Sequence, residues 1–327
     1  MKFFFISLWL ISSHIPSFSQ PFPQTTISNG VITASLYLPD SSSGYYRGTR
    51  FDWSGVVKSL VYKEHNYFSV WNKRYDPKLH DAITGPVEEF VPLGWEQAKA
   101  GDTFLKIGVG ILQRTNEKPY SFATLYPVVQ PGERKIKTDK DRTVFTHILH
   151  DPAGWAYEYT KTVRLVKGKS ELVLEHSLKN TGTRSLETDM YNHNFFVIDS
   201  QRTGPAIRTS FPFELNDNGT GHGLDTIGKI SNKQISYLRN LENNETMYIG
   251  SLTGFRNDAK DYDIRIENLR TRAGVNITCD KPLARLVFWS CATTSCPEPY
   301  IHIKAEPGQT FSWAITYRFY EMPGSEQ

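Results

Sequence analysis

Apolar and polar residues alternate with a period of two along most of this chain, the pattern of half-buried β-strands. Thr25–Asp40 reads as a hairpin with Asn29-Gly30 as its turn signal. Val56–Tyr62 follows as a strand. From Phe104 onward the alternation predicts strands at Phe104–Leu112, Tyr120–Val129, Thr143–Leu149, Ala156–Val166, Glu171–Leu178 and Thr188–Ile198. It continues at Thr246–Leu252, Tyr262–Glu267, Leu283–Trp289, Tyr300–Ala305 and Thr310–Phe319, where Phe311, Trp313, Ile315, Tyr317 and Phe319 fall on one face. Pro92–Ala100, with its proline start and good helix formers, predicts a two-turn helix. Asp76–Phe90 and Phe213–Gly228 show no period and are expected to be irregular, and long irregular connections over a sheet often carry function.

With 13% aromatic residues and scattered glycine and proline, the composition fits the same all-β reading. No linker-like break and no repeat divides the chain, so residues 20–327 are expected to form a single domain. Residues 1–19 carry Lys2, an apolar run from Phe3 to Ile11 and then small and polar residues, which predicts a cleavable secretory leader and a secreted or periplasmic protein. No later stretch is long and apolar enough for a membrane span. A net charge of +3 suggests neither nucleic acid nor an anionic membrane as partner. Cys291 and Cys296 are close enough in sequence to close a small loop, leaving Cys279 free, although separation alone does not establish a bond. No cysteine or histidine spacing suits a metal.

Leu186–Asp199 concentrates the candidate chemistry. Alternation places Leu186, Met190, Phe196 and Ile198 on one face and Asp189, Tyr191, His193 and Phe195 on the other, flanked by the amides of Asn192 and Asn194. A second cluster, Gly44–Gly55, crowds Arg47, Arg50 and Trp53 among glycines and further aromatics. Arginine forks bond hydroxyl or carboxylate oxygens, and aromatic faces stack on sugar rings. An arginine stacked on an aromatic within a turn would look the same. Lys161, on a strand, is expected to be exposed.

The segment Leu172-Val-Leu-Glu-His-Ser-Leu-Lys-Asn-Thr-Gly, followed by Asn192-His193-Asn194-Phe195-Phe196, resembles the aldose 1-epimerase (galactose mutarotase-like) superfamily. So does Cys296-Pro-Glu298-Pro, leading to Glu306-Pro-Gly-Gln-Thr-Phe-Ser-Trp and Tyr317-Arg-Phe. The resemblance implies a large antiparallel β-sandwich with a carbohydrate groove on a concave sheet. It also implies anomer interconversion of a mono- or oligosaccharide without a cofactor, with His193 as acid and Glu298 as base. Arg47, Arg50, Trp53, Tyr191 and Asn192 are the candidate substrate contacts. Where the superfamily carries a second histidine, this chain has Gly85-Pro-Val-Glu-Glu-Phe90. Either His80 supplies the imidazole or Glu88 and Glu89 bring a carboxylate to the site. An isomerase or lyase acting on a modified or acidic sugar, and a non-catalytic glycan-binding protein, are the competing readings.

Overall fold

The computed structural model describes residues 22–323. The expected leader at residues 1–19 lies outside them. Two large antiparallel sheets face each other. The ten-stranded sheet runs, edge to edge, through Gly228–Ser231, Gln234–Tyr237, Ile207–Ser210, Asp263–Asn268, Ala273–Cys279, Thr310–Glu321, Glu171–Asn180, Ala156–Leu165, Arg142–His150 and Glu133–Thr138. The second sheet runs through Asn216–Asp217, Thr246–Thr253, Arg285–Cys291, Thr294–Ala305, Leu186–His193 and Val87–Phe90, with Gly221–His222 also pairing Thr246–Thr253. Among the described residues the only helical segments are two single 3-10 turns, Ile198–Ser200 and Ala259–Asp261.

Alternation decides what each sheet buries. On Glu171–Asn180, Leu172, Leu174, His176 and Leu178 turn inward opposite Tyr317, Ile315, Trp313 and Phe311 of the closing strand. On the second sheet Leu186, Thr188 and Met190 lie opposite Ala305, Ile303 and Ile301 and point into the same core. Sheet-on-sheet packing of this kind fills the interior from both inner faces. The other face of the second sheet is covered by the N-terminal loops, whose Phe51, Trp71 and Ile83 pack with Phe195 and Cys296 in a separate aromatic cluster.

The structure departs from the sequence expectations in several places. Pro92–Ala100 is a turn. Gly94 sits at φ +81°, where a Cβ would collide with Trp155, and Arg114 Nη1 donates to the Trp95 and Ala98 carbonyls that a helix would have used. Phe104–Leu112 is two short strands, Thr103–Lys106 and Gly110–Gln113, folded back at Gly108, whose φ is +79°. Tyr120–Val129 is mostly loop and is ordered as a strand only at Val128–Gln130. The end of the irregular Asp76–Phe90 stretch is a fully buried strand, Val87–Phe90. The N-terminal hairpin forms as Gln24–Ser28 and Ile32–Tyr37, but Gly30 and Val31 occupy the turn centre, with Asn29 Oδ1 accepting from the Val31 and Ile32 amides. All three cysteines are free.

Candidate active site

The site is built by register on the outer face of the second sheet. Tyr191 pairs with Glu89 on one side and Tyr300 on the other, and Tyr300 pairs with Arg285, so these four side chains form one row. Cross-strand neighbours in an antiparallel sheet share a face. The bridge between Phe196 and Ser295 keeps the same register, which brings His193 opposite Glu298 one step along. His193 Nε2 lies 3.4 Å from Glu298 Oε1. Both line a pocket of about 370 Å³ together with Arg50, Asp81, Phe122 and Trp289.

The His193 ring stacks on Phe195 at 3.8 Å, and Phe195 stacks on Trp71 at 4.8 Å. Trp289 and Phe51 meet the imidazole edge-on. Burial among these rings, and secondarily the Arg50 charge, holds the imidazole well below its ordinary pKa, so it is neutral near pH 7. Its Nδ1 is buried with no hydrogen-bond partner among the described residues. Burial lifts the Glu298 carboxyl to about 8; Glu89 and Asp81 add to the rise, while Arg50 and Arg285 oppose it. The pair therefore rests with one proton, on the glutamate.

Arg50 is the hub of the pocket wall. Its Nε donates to Glu89 Oε2 at 2.7 Å, Nη1 to Asp81 Oδ1 at 2.5 Å and Nη2 to the Tyr191 hydroxyl at 2.9 Å. The guanidinium lies between the Phe51 and Phe122 rings, 4.5 and 4.1 Å from their centroids. Tyr191 donates to Glu89 Oε2 at 2.5 Å, and buried Lys106 donates to Glu89 Oε1 at 3.1 Å and to the Tyr120 hydroxyl at 2.7 Å. Burial pushes Glu89 upward, but Lys106 and Arg50 outweigh it and keep the carboxylate below its usual range. Arg285 stands exposed at the rim with its guanidinium 5.1 Å from the Tyr300 ring.

The sequence candidates thus separate. His193, Glu298, Arg50, Glu89 and Tyr191 converge on the pocket. His80 stays outside it, with Nδ1 2.8 Å from Asp81 Oδ1 and its ring edge-on to Phe122, and acts on the pocket only through those two residues. Glu88 and Asn192 face the interior. Glu88 bonds Lys161 Nζ and accepts from Asn192 Nδ2 at 3.1 Å. Lys161, expected to be exposed, is fully buried, with Nζ also donating to the Ser54 carbonyl. The alternation of its strand puts it on the inward face with Tyr157, Tyr159, Val163 and Leu165, where Glu88 of the facing sheet and the Ser54 carbonyl meet its charge. Arg47 and Trp53 line a different pocket. Asp189 shares the outer face with Tyr191 and His193 as expected, but further along the strand toward the surface, where it is bound to His302 Nδ1 at 2.8 Å. Asp81, Lys106, Tyr120, Phe122, Arg285 and Tyr300 also belong to the site, although the sequence pattern does not single them out. Of these, Lys106 carries a legible signal, a lone cation within the apolar run Phe104–Leu112.

No protein-family model matches the sequence, and no curated protein matches it either. Solved structures share the fold. The Slr1438 protein from Synechocystis sp. PCC 6803 is 15% identical with a TM-score of 0.57, covering 96% of this chain and 100% of its own. The GalM/aldose epimerase homologue from C. elegans is 11% identical with a TM-score of 0.53, covering 92% and 99%. A galactose mutarotase-like protein from Clostridium acetobutylicum is 13% identical with a TM-score of 0.52, covering 91% and 95%. The chain has the galactose mutarotase-like β-sandwich fold. The expectation of an all-β sandwich of this type is met.

Proposed function

We propose that this protein interconverts the anomers of a sugar by opening and reclosing its ring, with His193 donating to the ring oxygen and Glu298 accepting from the anomeric hydroxyl. The observation that carries the reading is the 3.4 Å approach of the two groups inside a sugar-sized pocket walled by aromatic rings. Ring oxygen and anomeric hydroxyl are bonded to the same carbon, so the acid and base that serve them must stand close together. One proton shared by two sites is also the count the reaction needs, because the groups exchange roles when the ring closes on its other face.

At rest that proton sits on Glu298, and transfer across the contact produces the imidazolium and carboxylate from which this assignment starts. The resting position favours a second reading of the same chemistry, in which Glu298 donates and His193 accepts. The leader pattern of Lys2 and Phe3–Ile11 supports a reaction outside the cytoplasm.

The test is anomer exchange, followed by proton NMR from anomerically pure sugars. His193→Asn and Glu298→Gln should each slow exchange by on the order of 10²–10⁴-fold, the usual worth of a positioned acid or base. Because the groups act as a unit, the double variant should be hardly slower than the poorer single one. Full exchange in both single variants would place the chemistry elsewhere.

A further inference from the structure

The second large pocket, about 400 Å³, is lined by Arg47, Lys78, Trp53, Leu125, Tyr126 and Pro131, among others. Its cations differ from those of the active site. Arg50 commits its fork to Glu89, Asp81 and Tyr191. Arg47 and Lys78 make no ion pair among the described residues, no carboxylate lines their pocket, and Arg47 Nε is buried without a partner. A buried guanidinium nitrogen left without an acceptor is destabilising unless something else supplies one. In the active-site pocket, by contrast, the Arg50 fork is already met by the carboxylates of Glu89 and Asp81.

The two pockets are neighbours along three separate walls. Arg50 and Arg47, Asp81 and Lys78, and Phe122 and Leu125 each place one residue in the first pocket and another three positions away in the second. Three residues of fully extended chain span at most about 10 Å, so on every wall the step from one pocket to the other is short. Phe122 and Leu125 are 47% and 49% exposed, so each pocket offers an exposed apolar side chain on this wall. Sugar rings lay their C–H faces on aromatic rings, of which Phe122 stands in the first pocket and Trp53 and Tyr126 in the second.

We infer that the ligand is a reducing oligosaccharide that spans both pockets, with a neutral sugar at His193 and Glu298 and an acidic glycosyl unit, carboxylated or sulfated, held by Arg47 and Lys78 beside Trp53 and Tyr126. This rests on the sugar reading of the active site and adds the substrate class.

Calorimetric titration tests it with three arms of reducing disaccharides: one with a hexuronate as the non-reducing unit, its carboxyl-reduced counterpart, and a sulfate ester of that counterpart. At low salt the uronate or the sulfate form should bind roughly 10-fold or more tightly than the neutral one, as expected for a charge-assisted contact, and whichever is preferred identifies the anion. The preference should shrink with added salt. Arg47→Gln combined with Lys78→Gln should bring the ratio to about one, with the melting temperature checked to confirm folding. Equal affinity for acidic and neutral forms, no binding of any arm, or a preference that survives in the double variant would overturn the inference. Turnover plays no part in the titration. An acidic preference without anomer exchange retires the acid/base reading alone, and exchange without the preference retires the two-pocket substrate alone.

Discussion

Glu88 and Glu89 are consecutive residues of one four-residue strand, and their carboxylates point to opposite sides of the sheet. Glu89 holds Arg50 and Lys106 at the pocket wall, whereas Glu88 bonds Lys161 in the dry interior with the His176 ring 3.5 Å away. The period of two in a strand makes this inevitable once both positions are acidic. Two buried ion networks therefore lie back to back, one in the pocket wall and one in the interior behind it.

Removing one partner of the interior pair should be strongly destabilising. Glu88→Leu leaves the fully buried Lys161 ammonium without its carboxylate and should lower unfolding stability by about 3–5 kcal/mol, measured by urea denaturation. Adding Lys161→Met should recover most of that loss, because the uncompensated charge is then gone. A Glu88→Leu single variant as stable as the parent would mean that the pair does not hold the sheet to the loop at Ser54.

The rate of anomer exchange should follow a bell with unequal limbs. Loss of the single shared proton sets the alkaline limb near pH 8, the value to which burial lifts Glu298. Gain of a second proton sets the acid limb, which should fall well below the ordinary histidine value because His193 resists protonation among its aromatic neighbours. Glu298→Gln should abolish the alkaline limb in whatever exchange remains. An acid limb at or above about pH 6.5, the usual imidazole value, would contradict the buried neutral histidine.

Arg50→Lys keeps the charge and loses the fork. An arginine that only bound the ligand would leave stability nearly unchanged on this substitution. Arg50 instead carries three buried hydrogen bonds, and lysine cannot reach Glu89, Asp81 and Tyr191 together. The melting temperature should drop along with sugar affinity, the stability loss being on the order of 1–3 kcal/mol for a buried partner left unsatisfied. Weakened binding with an unchanged melting temperature would show that the hub is not structural.

The sequence and the structure agree best where information is local. The two faces of Leu186–Ile198 are legible because strand alternation needs only neighbouring residues, and Tyr191, His193 and Phe195 do share the outer face. That His193 meets Glu298 depends on the register between strands distant in the chain, which alternation cannot supply; resemblance to a known motif points to Glu298. The arginine-rich Gly44–Gly55 segment announces a ligand surface but not its division, since a loop has no period to say that Arg47 and Arg50 open into different pockets. Alternation puts Lys161 on the same inward face as Tyr159 and Val163; what it cannot supply is the partner that lets a cation lie there, Glu88 on the opposite sheet.

The raised carboxyl of Glu298 should also mark the stability of the folded protein. Its folded value is about 8, against roughly 4.3 for an unfolded glutamate. Between those values the folded chain keeps a proton that the unfolded chain releases, so stability falls as pH rises through the interval. The contribution is fully present below about pH 4.3 and is lost as pH climbs through 8. A tenfold difference in proton affinity between folded and unfolded chain is worth about 1.4 kcal/mol, so the full effect is on the order of a few kcal/mol. Glutamine has a similar shape and does not ionise, so Glu298→Gln should lack this slope. Denaturant unfolding at about pH 5 and again near pH 8.5, on either side of most of the titration, should show the variant gaining on the parent at the higher pH. Parallel behaviour of the two proteins would mean that Glu298 titrates as an ordinary carboxylate, and the single proton assigned to the His193–Glu298 pair at rest would then have no group to hold it.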